Sequence, residues 1–129
     1  MARYRIDIEI FEGKGGQMRR EGGRTIPLDN PAREGICAWM YRGDGLRSYQ
    51  AGEQFAYPDD AGRICPWLLS AMDPLIQTLR YGGTLTWRYE GTPYEKVIDA
   101  DGITTEYVRC PDPSASGIVA KLIRTKVED

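Results

Sequence analysis

Histidine is missing from this chain altogether, and cysteine occurs three times in 129 residues. Histidine is the usual general base near neutral pH and the commonest metal ligand. Its absence excludes Ser-His pairs, Cys-His pairs and His-rich metal centres built from one copy of the chain. Any catalysis falls to thiol, carboxylate, phenol, lysine or arginine groups. A basic excess is missing too: 17 Lys and Arg stand against 19 Asp and Glu, for a net charge of −2. That argues against nucleic acid as a partner, because phosphate binding needs a positive surplus. No apolar run approaches the roughly 20 residues that span a bilayer. The first residues, Met1-Ala2-Arg3-Tyr4-Arg5-Ile6-Asp7, are charged where a secretion signal is apolar. These absences predict a soluble cytoplasmic protein without membrane association. The odd cysteine count fits reduced thiols rather than a disulfide frame.

What is present is an ordinary globular mixture, 41% hydrophobic and 28% charged, long enough for one domain. Residues 4 to 11 alternate. Tyr4, Ile6, Ile8 and Ile10 point one way and Arg5, Asp7 and Glu9 the other, which is the pattern of a strand with one buried face. Residues 12 to 35 mix glycine, charge and proline and read as an arm or loop, with a short strand near Thr25 to Leu28. Further strands are expected at 36–42, around Gln54 to Tyr57, and at 84–90, 94–99, 103–110 and 117–126, with Asp101-Gly102 as a hairpin turn.

One helix is expected, over 66–81. Leu68, Leu69, Met72, Leu75, Ile76 and Leu79 form its apolar stripe, Pro66 stands at its first position and Gly82-Gly83 stop it. Pro74 predicts a kink, or a division into two adjoining helices. The sum is an α+β fold: a mostly antiparallel sheet with one kinked helix or helix pair packed on one face. Open sheet edges need cover, and a homodimer is one way to supply it.

Two cysteines precede proline, Cys65-Pro66 and Cys110-Pro111. Cys65 is the candidate catalytic residue. It falls at the expected helix start, where free amides and partial positive charge favour a thiolate. Against this stands the common fate of free cysteine as a small buried hydrophobe. The trio Cys37, Cys65 and Cys110 is also a candidate set of soft-metal ligands, for zinc or iron, with Asp112 the nearest acid. No Cys-x-x-Cys knuckle supports that, and no cofactor is predicted. Aromatic residues are plentiful, among them Trp39, Tyr41, Tyr57, Trp67, Tyr81, Trp87, Tyr89 and Tyr107, and serve either core or pocket. Arg63, Arg80 and Arg109 are the candidate partners of an anionic ligand.

Ile64-Cys65-Pro66-Trp67 running into Leu79-Arg80-Tyr81-Gly82-Gly83, and Val108-Arg109-Cys110-Pro111-Asp112-Pro113 before Ile118 to Leu122, form a pattern. It resembles a family of short, uncharacterised prokaryotic proteins. That family has a Cys-Pro-Trp helix start, a Gly-Gly stop and a Cys-Pro-Asp turn before the last strand. Tyr49 to Phe55 is similar to its strand lead-in. The resemblance spans residues 36 to 126 and implies that Cys37, Cys65 and Cys110 lie at motif positions. It brings no activity.

The functional expectation is a protein that handles a small-molecule metabolite in a pocket at the N-terminus of the 66–81 helix. Cys65 would be its catalytic group, with Trp67, Cys37, Cys110, Arg63, Arg80, Arg109 and Tyr57 lining it. Lyase, hydratase or isomerase chemistry fits best, because no nucleotide-binding fingerprint is present. The alternatives are a non-catalytic binding module, an accessory subunit of a larger enzyme, and a Cys-ligated metal module.

Overall fold

A computed structural model describes residues 3–13, 18–27, 49–112 and 117–128. Its centre is a pair of long antiparallel strands, β1 (Arg3–Glu12) and β6 (Val119–Glu128). On the outer flanks lie β4 (Gln54–Tyr57), paired with β1, and β5 (Ile103–Arg109), paired with β6. The order β4-β1-β6-β5 is antiparallel throughout. A second, two-stranded sheet joins β2 (Met18–Glu21) to β3 (Arg24–Pro27) through Gly22-Gly23. Both of those glycines have positive φ, 58° and 77°, as the tight hairpin turn requires. The short strand expected at Thr25 to Leu28 is β3, one residue earlier, and β2 is an addition to it. The expected strand at 36–42, with Cys37, Trp39 and Tyr41, lies outside the described residues.

The alternation in β1 builds the core. Ile6, Ile8 and Ile10 face Arg124, Leu122 and Ala120 of β6 in register, and Thr104, Glu106 and Val108 of β5 continue the same face. On it lies α1 (Pro66–Arg80), which buries Leu68, Met72, Ile76 and Leu79. The spacing of four, four and three keeps these on one stripe. Each such side chain contributes about 1.5–3 kcal/mol when fully buried.

The helix is continuous through Pro74, so the expected division into two adjoining helices does not occur. Pro74 and Ser70 are both exposed, and Ser70 holds the carbonyl that loses its partner to the ring. Water can meet that carbonyl, and a helix bows naturally on its solvent side. The Thr78 hydroxyl donates to the Pro74 carbonyl at 2.9 Å.

Helix termination follows the glycines. The Gly82 amide donates to Leu79 O at 3.0 Å and the Gly83 amide to Thr78 O at 2.9 Å, a Schellman closure with Gly82 at φ 90°. Arg124 completes it from β6. Its Nη1 donates to Leu79 O (3.2 Å) and Gly83 O (2.7 Å), its Nη2 to the Thr104 hydroxyl (3.1 Å), and its guanidinium carbon lies 4.6 Å from the centre of the Tyr4 ring. A cation at this end meets the negative end of the helix dipole.

Residues 84–90 and 94–99 are not strands, contrary to expectation. The turn at Asp101-Gly102 does form, with the Gly102 amide bonded to Asp99 O at 3.2 Å. What fails is the ladder before it. Toward β5 the backbone bond is Thr105 N to Val97 O (2.9 Å), and toward residues 84–90 it is Lys96 N to Arg88 O (2.9 Å). The Val97 and Asp99 amides go to the hydroxyls of Thr105 and Thr104 instead. Side-chain oxygens have taken the acceptor places that strand carbonyls would fill.

Candidate functional site

At the start of α1, Cys65 is the N-cap residue and Pro66 occupies the first turn, as the sequence implied. The environment is the interior. Cys65 is 8% exposed and belongs to the core cluster with Ile64, Leu68, Phe55 and Cys110. Its amide already donates to the Tyr49 hydroxyl at 2.7 Å, and its side chain makes no cap bond. A priming argument needs free amides beside an accessible sulfur, and a buried thiol in apolar surroundings is inert. Cys110 is 6% exposed, and burial pushes its thiol up, against the opposing pull of the Asp112 amide. Among the described residues, no group of three Cys, Asp or Glu side chains is placed to hold a metal ion.

The remaining predicted residues do not converge on Cys65. Trp67 is half exposed. Arg63 pairs with Asp60 at 3.2 Å and lies over the Phe55 ring. The Asp60 carboxyl is held below its ordinary range, chiefly by the Ala56 amide. Tyr57 accepts a bond from Gln77 at 3.3 Å, with the Arg80 guanidinium 5.5 Å from its ring centre. Arg63 and Arg80 thus stand at opposite ends of a 15-residue helix, about 22 Å long at 1.5 Å per residue. A hollow along the outer face of the helix passes Pro66, Leu69, Ser70, Asp73 and Pro74, and Cys65 is not among these lining residues. Cys37 lies outside the described residues.

Arg109 has a different setting. In β5 it alternates with Val108 and shares with Tyr107 the face turned away from α1. There Tyr89, Tyr94, Tyr107, Arg109 and Val119 line a cleft of about 220 Å³. The Tyr94 and Tyr107 rings of the cleft pack on each other and on Phe11. Ring centres are 4.9 Å apart for Phe11 and Tyr107, 5.5 Å for Tyr94 and Tyr107, and 5.8 Å for Phe11 and Tyr94, all tilted or edge-on. Such geometries are the favourable ones for aromatic pairs.

A short polar relay fixes the wall. The Arg109 Nη2 donates to the Tyr94 hydroxyl at 3.2 Å, and that hydroxyl donates to Glu12 Oε1 at 2.5 Å. The Glu12 carboxylate, which accepts the phenolic hydrogen bond, holds Tyr94 above its ordinary range; burial adds to this and Arg109 opposes it. Tyr107 is raised as well, first by burial and then by the charge of Glu9. Both therefore stay neutral phenols near pH 7.

Tyr89 is held at φ 53°, a left-handed conformation unusual for an aromatic residue, and Thr92 locks the turn by donating to Tyr89 O from both amide and hydroxyl. Behind this turn lies a buried ion pair. Lys96 Nζ sits 2.8 Å from Glu106 Oε2, with side chains 1% and 5% exposed, and donates to Leu85 O at 3.0 Å.

The sequence pointed to Arg109, Tyr89 and Tyr107 separately and missed Tyr94, Glu12 and Val119 as their companions. Strand parity alone puts Tyr107 and Arg109 on one face. Nothing in the order of residues reveals that Tyr94 reaches Glu12, 82 positions away. No protein-family model, curated protein or solved structure matches the chain. No helix among the described residues is long and apolar enough to cross a membrane.

Proposed function

We propose that this chain is a small-molecule binding domain whose ligand sits in the cleft of Tyr89, Tyr94, Tyr107, Arg109 and Val119. The observation that carries this reading is the relay from Arg109 through Tyr94 to Glu12. It holds a tyrosine-walled cavity open beside an exposed guanidinium. Concave sites with aromatic walls and a few fixed polar groups are the usual form of ligand pockets. The left-handed Tyr89 supports it too, since strained backbone gathers at ligand clamps.

Binding is favoured over catalysis because both wall phenols with shifted pKa values are pushed away from neutrality, not toward it. General acid–base work is most efficient when the pKa lies near the operating pH. The helix N-terminus is the weaker alternative, because Cys65 is enclosed by core residues.

The test is an amide chemical-shift survey of the protein against a set of small aromatic fragments. Shifts should cluster at Tyr89, Tyr94, Tyr107, Arg109 and Val119, and Tyr94→Phe should weaken them severalfold by cutting the relay. Fragments that instead shift the amides of Trp67 to Asp73, or that ignore Tyr94→Phe, would overturn the assignment.

A further inference from the structure

We infer that the cleft takes a small planar carboxylate and rejects cations, an inference that rests on the binding reading above. A cage of tyrosines suggests at first a site for an organic cation. Here that capacity is already filled from within the protein. The Arg109 guanidinium carbon lies 6.0 Å from the centre of the Tyr94 ring, Lys121 Nζ 6.0 Å from Tyr107, and Lys96 Nζ 5.6 Å from Tyr89. Each of the three wall rings thus carries one of the protein's own cations. A cationic guest would compete with these for the rings and meet like charge.

The unspent hydrogen-bond donors point the same way. Lys96 is neutralised by Glu106. Arg109 and Lys121 form no ion pair among the described residues. Two carboxylates lie on the neighbouring strand. Glu12 accepts the Tyr94 hydrogen bond and keeps its charge, and Glu9 faces Lys121 in register, so the fixed charges balance and the guest is selected by the free Arg109 donors. With both phenols neutral, the tyrosines add no negative charge. Of the five N–H donors of the exposed Arg109, one is spent on Tyr94. The guanidinium fork matches a carboxylate in two parallel bonds, a geometry that lysine cannot supply.

Size limits the guest. A volume near 220 Å³ is below the roughly 300–1,000 Å³ of pockets for drug-sized ligands, so one ring with its carboxylate is the fitting scale. The tilted rings of Tyr94 and Tyr107 offer a face and an edge to such a ring.

The experiment compares benzoate and benzamide, matched in size and different in charge, with the somewhat larger cation benzyltrimethylammonium, by chemical-shift titration at low salt. Benzoate should bind about tenfold more tightly than benzamide, the scale of a charge-assisted pair. Benzyltrimethylammonium should leave the cleft signals in place. Arg109→Gln should bring the ratio of benzoate to benzamide affinity to about one, and Arg109→Lys should keep only part of the preference.

Equal binding of benzoate and benzamide at the cleft, or cleft binding of the ammonium probe, overturns the carboxylate inference and leaves the binding site standing. An absence of cleft shifts with all three probes defeats both. An unchanged preference for benzoate in both Arg109 variants also overturns the inference, since the charge recognised would then lie elsewhere.

Discussion

Lys96 and Glu106 are joined at 2.8 Å with almost no access to water, and the consequence is a large, specific penalty for removing either one alone. Lys96→Met leaves a carboxylate in the interior. Its Oε1 keeps the bond from the Tyr107 amide, but Oε2 loses its partner. Leu85 O, released at the same time, belongs to an exposed residue and can turn to water. The cost is therefore set by the stranded charge, about 3–5 kcal/mol for a broken buried pair. Unfolding entropy of roughly 2.1 cal/mol/K per residue makes 1 kcal/mol worth about 4 °C for 129 residues, so the variant should melt about 12–20 °C lower. Glu106→Leu strands the ammonium and should cost a similar amount. The double variant Lys96→Met, Glu106→Leu removes both charges and keeps the volume, so it should recover most of the loss. Urea unfolding followed by far-ultraviolet circular dichroism gives the four stabilities, and their cycle gives the coupling. Single-variant costs under about 1 kcal/mol, the range of a surface pair, would refute the claim that these charges are enclosed.

Three further outcomes are expected. Arg124→Met should cost about 1–3 kcal/mol by removing two charged hydrogen bonds at the C-terminal end of α1 and one to Thr104 of β5, with Arg124→Lys intermediate because one ammonium cannot reach all three acceptors; chemical denaturation measures this. Cys65 and Cys110 should resist iodoacetamide in the native protein and react on unfolding, and peptide mass mapping that finds Cys65 alkylated at the free-thiol rate would restore it as a reactive group. Tyr94 and Tyr107 have raised pKa values, so the stability they contribute is complete below the ordinary phenol value and fades as pH climbs through their higher folded-state values. Absorbance titration at alkaline pH should show late-ionising tyrosines, with Tyr94→Phe and Tyr107→Phe each deleting one component.

Much of the architecture could be read from residue order, because its causes are local. The alternation of Ile6, Ile8 and Ile10 marks one buried face wherever β1 lies, since a strand repeats every two residues. The apolar stripe, Pro66 and Gly82-Gly83 fix α1 within a residue by periodicity and backbone chemistry. Errors arose where local preference met a competitor from elsewhere in the chain. Residues 94–99 have strand composition, yet two threonine hydroxyls of β5 accept the amides that a ladder would use. Pro74 ordinarily breaks a helix, but its exposed side of α1 lets water satisfy the freed carbonyl while the buried stripe keeps the helix continuous.

The candidate site divides the same way. Composition alone removed imidazole chemistry and a strongly basic surface, because residues that are absent cannot act in any fold. It also supplied the arginines and tyrosines that a binding site needs. Only the packed chain decided between equivalent copies of those residues. Cys65 and Arg109 were both plausible by residue type. Packing against Leu68 and Phe55 enclosed the thiol, while the pairing of β5 with β6 turned the guanidinium outward beside Tyr94. Burial and convergence are sums over distant contacts, and no short stretch of sequence contains them.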